Sequence, residues 1–119
     1  MRDGVRLATT VYLPLVEGPY PAVLVRTAYN RSGYYASFFP VHGMALVVQD
    51  CRGRYESGGE FSPFVREAED GYDTIEWIGN QPWCNGRVGM YGDSYLAATQ
   101  FYAAPMGSLF LRVLNPRFM

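Results

Sequence analysis

The sequence predicts an α/β domain built on a mostly parallel sheet. Two apolar runs of strand length, Pro21 to Thr27 and Met44 to Asp50, lack the polar alternation of a half-wet sheet, so they suit central strands covered on both faces. Residues 67–81 show helical spacing, with Ala68, Tyr72, Ile75 and Ile78 on one stripe and Glu69, Asp70, Asp73 and Glu76 mostly off it. The stretch from Arg87 to Ala98 reads as a short apolar strand, a one-residue corner at Ser94 and a helix directly behind it. Strands alternating with helices imply a parallel sheet with right-handed crossovers. The polar and glycine-rich stretches 28–33 and 51–62 and the corner at Ser94 each leave a strand at its carboxyl end, where open α/β sheets put their sites.

Taken in order, Met1 to Gly4 forms a turn. Val5, Leu7, Thr9, Val11 and Leu13 then alternate with Arg6, Ala8, Thr10 and Tyr12 in a period-two strand ended by Pro14. Leu15 to Tyr20 is a hairpin-like loop, and the first apolar strand follows at Pro21. Tyr34 to Val41 is aromatic-rich and suits a short helix, broken near Pro40 and closed by Gly43. The acidic residues crowding the start of the helix at 67–81 favour its dipole. Pro82 to Gly86 is a turn, Arg87 to Tyr91 a strand, Tyr95 to about Ala104 a helix, and Leu109 to Leu114 a last strand closed by Pro116.

Composition narrows the function classes. With 49% hydrophobic and 16% aromatic residues, the 119-residue chain has material for the core of one small domain. Its net charge of −1 argues against nucleic acid and anionic membranes as partners. All 10 basic residues are arginine, which leaves no lysine for Schiff-base chemistry. No apolar run reaches membrane-spanning length, and Met1 is followed by Arg2 and Asp3 rather than by a signal peptide's apolar stretch. Cys51 and Cys84 lack metal-ligand spacing and read as free thiols, which suits a reducing, cytoplasmic setting.

A serine at a strand-to-helix corner holds its hydroxyl out at the strand's end, beside the amides that open the helix, which suits a nucleophile. The same Gly-x-Ser also suits a plain N-cap, because a serine hydroxyl accepts from first-turn amides. Gly92 supplies the small residue a tight corner needs, whereas Leu96 departs from a simple G-x-S-x-G pattern. Gly86, Gly89 and Gly92 straddle a strand rather than follow one, so they do not form a dinucleotide loop. Trp77 and Trp83 suit either an acyl pocket or the core. Asp50 and Arg52 suit an ion pair that shapes the 51–62 loop, and Asp93 faces solvent. His42, the single histidine, is a surface or packing residue.

Five blocks in one order carry a family resemblance. They are Met1-Arg2-Asp3-Gly4-Val5-Arg6-Leu7-Ala8, Arg26-Thr27-Ala28-Tyr29-Asn30, Gln49-Asp50-Cys51-Arg52-Gly53-Arg54 with Ser57-Gly58-Gly59-Glu60-Phe61, Asp70-Gly71-Tyr72-Asp73-Thr74-Ile75-Glu76-Trp77, and Gln81 to Met90 leading into Gly92-Asp93-Ser94-Tyr95-Leu96. With them the chain resembles the N-terminal portion of the X-prolyl dipeptidyl-peptidase-like α/β-hydrolases, the CocE/NonD group that includes cocaine esterase and amino-acid-ester hydrolases. That family's G-x-S-Y-x-G pattern accommodates Leu96, and Ala97 stands here at its last glycine. The resemblance implies a partial α/β-hydrolase fold with a nucleophile elbow. Ser94 would be the nucleophile, and the Tyr95 backbone N–H and the Tyr29 phenol would form the oxyanion hole. It implies an ester, amide or X-Pro peptide as substrate, with no metal or organic cofactor, and leaves the oligomeric state open.

No Asp, Glu or His follows Ser94 in the sequence, although a hydrolase of this kind needs its acid and then its histidine after the serine. The resemblance therefore implies that residues 1–119 are a piece of one catalytic domain, cut at both ends. The other expectation is a catalytically inert fragment or interaction module. Half a sheet would also leave an unpaired edge and uncovered apolar surface, which makes the isolated chain aggregation-prone or marginally stable.

Overall fold

The computed structural model describes residues 1–117. Five strands form one sheet: β1 (Thr9–Tyr12), β2 (Tyr20–Thr27), β3 (Ala45–Asp50), β4 (Cys84–Asp93) and β5 (Leu111–Arg117). Their spatial order is β1-β3-β2-β4-β5, with β1 antiparallel and the rest parallel. The helices are α1 (Phe38–Val41), α2 (Glu67–Gly79) and α3 (Tyr95–Ala103), with short 3₁₀ turns at Arg31–Gly33 and Ala104–Met106. The expected α/β architecture is present.

The two apolar runs occupy the centre of the sheet, and all of β3 and the last six residues of β2 are buried. Alternation sorts their side chains to two faces. Ala22, Leu24, Ala45, Val47, Val88 and Met90 face Ile75, Ile78 and Ala103 of the α2 and α3 side. Val25, Leu46 and Val48 meet Leu96 and the aromatic cover of Tyr12, Tyr34, Phe39 and Tyr91. The half-sheet exposure expected for these two strands is therefore absent, because α2 and α3 cover one face, Leu96 and the aromatic residues cover the other, and β1 and β4 pair their edges.

Several boundaries differ from the sequence reading, each for a physical reason. The first strand covers only Thr9–Tyr12, because residues 5–8 bond to the loop after β3 instead of forming a ladder: Gly58 N–H donates to the Arg6 carbonyl at 2.8 Å and Ala8 N–H to Ser57 Oγ at 2.8 Å. β4 begins at Cys84, inside the expected turn, and Gly86 takes a φ of 86° within it. Pro116 does not end β5 but lies in it opposite Gly92; an outermost strand tolerates the missing donor.

The stripe of α2 is also rotated from the one expected. Its buried residues are Glu67, Asp70, Gly71, Thr74, Ile75 and Ile78, so Ala68 and Tyr72 flank the contact rather than form it. Two acids of the first turn, Glu67 and Asp70, the latter expected off the stripe, are buried because two arginines meet them. Arg26 Nη1 reaches Glu67 Oε1 at 2.7 Å with both side chains at most 5% exposed, and Arg52 Nη2 reaches Asp70 Oδ1 at 2.7 Å. Removing one partner of a buried pair leaves an uncompensated charge, at a cost of about 3–5 kcal/mol.

Apolar surface remains bare beside β5. A groove on the α1 side is lined by Pro21, Val23, Phe39, Met90 and Val113, and Val113 is 61% exposed. The chain on its own is expected to associate through this surface. Light scattering at micromolar concentration should report species larger than a monomer, and Val113→Lys should reduce them. A monodisperse parent that unfolds cooperatively on heating contradicts this expectation.

Candidate active site

β4 ends at Asp93, and α3 begins at Tyr95. The single residue between them, Ser94, adopts φ 55° and ψ −121°, a conformation L-residues rarely hold. Two contacts maintain it. Ser94 N–H donates to the Arg117 carbonyl at 3.0 Å, continuing the β4–β5 ladder into the corner, and the Ser94 carbonyl accepts from Ala97 and Ala98 at 3.0 and 3.1 Å, opening the helix. Gly92 makes the turn sterically possible: at its φ of 140°, an added Cβ would lie 2.5 Å from Leu96 Cβ. The Ser94 hydroxyl makes no side-chain cap with α3, which separates this serine from an ordinary N-cap.

Tyr29 comes to the corner from the loop after β2. Its phenol oxygen lies 3.3 Å from Ser94 Oγ, although 65 residues separate them in sequence. Four interactions shape this loop. Tyr29 N–H donates to Thr27 Oγ1 at 2.9 Å, and Arg54 Nε holds the Ala28 carbonyl at 3.0 Å. Arg31 grips the buried Asp50 carboxylate through its backbone N–H and through Nη1, both at 2.7 Å. The expected Asp50–Arg52 pair does not form. Asp50 serves the Tyr29 loop, while Arg52 bridges Asp3 and Asp70, because the strand end turns the two side chains toward different elements.

Tyr95 contributes its amide and its phenol to different places. At the first helical position the amide has no acceptor within the helix. The phenol reaches the start of α2, donating to Glu67 Oε2 and accepting from Phe64 N–H at 3.2 Å. Its ring stacks on Phe64 at 4.9 Å and meets Tyr29 edge-on at 6.5 Å. Burial, and then the Glu67 carboxylate, raises the phenol well above the ordinary tyrosine range, so it stays a donor at neutral pH.

Beside Ser94 a cleft of about 450 Å³ is walled by Tyr29, Asn30, Tyr34, Tyr91, Asp93 and Leu96. Burial, followed by Tyr91 and Asp93, pushes the Tyr34 phenol up to about 12. Asp93 is half exposed as expected, with Arg117 Nε at 3.7 Å. Local residue patterns do not mark Tyr34 and Tyr91 as cleft residues, nor Glu67 as a partner of Tyr95. Arg26, a charge inside an apolar run, was the signal for Glu67, since a buried arginine requires an acid.

Other candidates lie elsewhere. Trp77 and Trp83 pack edge-to-face at 6.3 Å, and the Trp83 carbonyl accepts from Tyr20 N–H at the entry to β2, the opposite end of the sheet from Ser94. They do not line the cleft. His42 is exposed, stacks on Phe38 at 4.2 Å and bonds the Phe38 carbonyl through Nδ1 at 2.8 Å. Both cysteines are free and buried, and burial pushes the Cys51 thiol up to about 12. Among the described residues no His/Cys/Asp/Glu group could hold a metal ion, and no helix is long and apolar enough to cross a membrane.

Gly92→Ala is expected to cost more than about 1 kcal/mol, since it combines a left-handed φ with a clash. Gly107→Ala, with φ 77° and open space around its Cβ, provides the conformational cost alone. Urea unfolding should show the larger loss at Gly92; equal losses would mean that the Leu96 contact does not constrain the corner.

Known proteins resemble the chain in sequence and fold. The chain is 44% identical over 124 residues to the cocaine esterase of Rhodococcus sp. (strain MB1 Bresler), covering 98% of this chain and 22% of that protein. A CocE/NonD family hydrolase from Staphylococcus aureus superposes with a TM-score of 0.88 at 31% identity, covering 96% of this chain and 25% of its own. An α-amino acid ester hydrolase superposes with a TM-score of 0.86 at 33% identity, again covering 96% of this chain and 23% of that one. The chain thus spans about a quarter or less of these relatives' length, and its fold is of the α/β-hydrolase type. With residues 3–118 matching the family profile, the chain belongs to the X-Pro dipeptidyl-peptidase (S15) family.

Proposed function

We propose that this chain carries the nucleophile and the oxyanion-binding groups of a serine hydrolase that works through an acyl-enzyme. The observation that carries the reading is the 3.3 Å approach of the Tyr29 phenol to Ser94 Oγ at a corner held at φ 55°. Ser94 Oγ attacks the carbonyl carbon of an ester, an amide or an X-Pro peptide bond. Negative charge then develops on the carbonyl oxygen, and two donors are available to it, the Tyr29 O–H and the Tyr95 N–H. Collapse of the tetrahedral intermediate expels the alcohol or amine and leaves the acyl group on Ser94, from which water releases it.

The serine needs a base to accept its proton. His42 is held against Phe38 at the end of α1, and no Asp, Glu or His follows Ser94 in the sequence. The reading therefore applies to a protein in which a histidine and its acid reach the Ser94 cleft from outside these residues. The same observation favours a second reading, an inert or interaction module in which Ser94 is never activated. Membership of a hydrolase family supports the first, as do relatives that include an esterase and an amino-acid-ester hydrolase.

A fluorophosphonate probe separates the two. The full-length protein is expected to take one phosphonate on Ser94, read by mass analysis of the peptide, and Ser94→Ala to take none. Tyr29→Phe should slow labelling by about 10²–10³-fold, the usual loss for one oxyanion donor. An unlabelled full-length protein supports the inert module.

A further inference from the structure

We propose that Glu67 is a positioning residue for the Ser94 corner: its carboxylate anchors the Tyr95 phenol, and through it the first turn of α3 and the Tyr95 amide. The functional consequence rests on the serine-hydrolase reading, whereas the tether itself does not. Three observations carry it. α3 has no side-chain cap at Ser94, so the usual side-chain anchor of a helix start is missing after this strained residue. The Tyr95 side chain instead crosses to the start of α2, where its O–H donates a hydrogen bond to Glu67 Oε2 and its oxygen accepts from Phe64 N–H, just before the helix. Glu67 itself is fixed from below: Oε1 takes Arg26 Nη1 at 2.7 Å, Arg26 Nε takes Gln49 Oε1 at 2.7 Å, and Gln49 Nε2 reaches Thr9 Oγ1 at 3.1 Å.

Glu67 is only 4% exposed, so its carboxylate is deprived of water and depends on these partners. One oxygen is spent on an arginine of β2 and the other on the residue beside Ser94. Because that second oxygen is satisfied from α3, the carboxylate ties the start of α3 to the buried pair. The array runs β1, β3, β2, α2 and then α3, so the pitch of the first turn of α3 is referred to three strands of the sheet. An oxyanion donor gains from such fixing, because a displacement of about 1 Å at a reacting centre costs on the order of 10²-fold in rate.

Tyr95→Phe tests the tether, since it keeps the ring, the backbone amide and the Arg26–Glu67 pair while removing the bond to Glu67. Thr74→Val serves as control: it deletes a 3.0 Å bond to Gln49 in the same buried array without touching α3. Amide hydrogen exchange in the full-length protein is the first readout. Exchange over residues 95–98 should accelerate by about tenfold or more in Tyr95→Phe and not in Thr74→Val, with β2 and β3 unchanged in both. Fluorophosphonate kinetics are the second. The maximal labelling rate of Tyr95→Phe should fall about 10–100-fold with little change in the probe concentration giving half-maximal rate.

Exchange over 95–98 that stays unchanged, or that rises equally throughout the sheet, overturns the proposal. Faster exchange with an undiminished labelling rate also overturns it, because the tether would then not serve the site. If the parent protein takes no phosphonate, the hydrolase reading fails, and the exchange comparison still decides whether Glu67 anchors the corner.

Discussion

Gly92 has no side chain, and the first turn of α3 occupies the space one would need. A Cβ there would come within 2.5 Å of Leu96, so the end of β4 and the start of α3 approach each other only with glycine at this position. That approach leaves one residue to reverse the chain, and Ser94 does so at φ 55°. A left-handed serine is unfavourable by itself, and strain of this kind persists only where its surroundings over-determine it. Here they do: the ladder with β5 fixes the Ser94 amide, α3 takes its carbonyl, and Leu96 is packed beneath the aromatic cover of β2 and β3.

The corner matters chemically because other segments are built to meet it. The Tyr29 loop is held by Asp50 at the end of β3, by the loop's own Arg31, and by Arg54 of the glycine-rich loop. Tyr95 is held by Glu67, whose pairing with Arg26 explains an arginine near the end of a largely apolar strand. Two charged groups that look costly at the level of the core, Asp50 and Glu67, thus each secure one of the two tyrosines at Ser94. The proposed mechanism requires neither to touch a substrate. In the proposed mechanism their contribution would be to fix the Tyr29 and Tyr95 donors before any charge develops, which is what makes such donors effective.

Much of this was legible from residue patterns. The buried strands, the amphipathic helix and the corner followed from apolar runs and from Gly92 before Ser94, and the Arg-Thr-Ala-Tyr-Asn block drew attention to Tyr29. What stayed hidden has a common cause, namely pairing across the fold. Glu67 and Asp70 looked like dipole-favouring surface acids, because nothing near them in sequence indicates that Arg26 and Arg52 will face them. The Asp50–Arg52 pair suggested itself from adjacency, yet the better partner for Asp50 came from the preceding loop, 19 residues away. Pro116 looked like a stop and proved tolerable in an outermost strand. The tryptophans could be placed only once the direction of the strands was known.

The central claim is that one bound oxygen can be shared between the Tyr29 phenol and the Tyr95 amide above Ser94. A crystal structure of the full-length protein carrying a phosphonate on Ser94 tests this directly. The account predicts a non-bridging phosphonyl oxygen within about 2.7–3.1 Å of both the Tyr29 oxygen and the Tyr95 nitrogen. A phosphonyl oxygen directed away from both donors, or a Tyr29 side chain swung out of reach of the adduct, would contradict it.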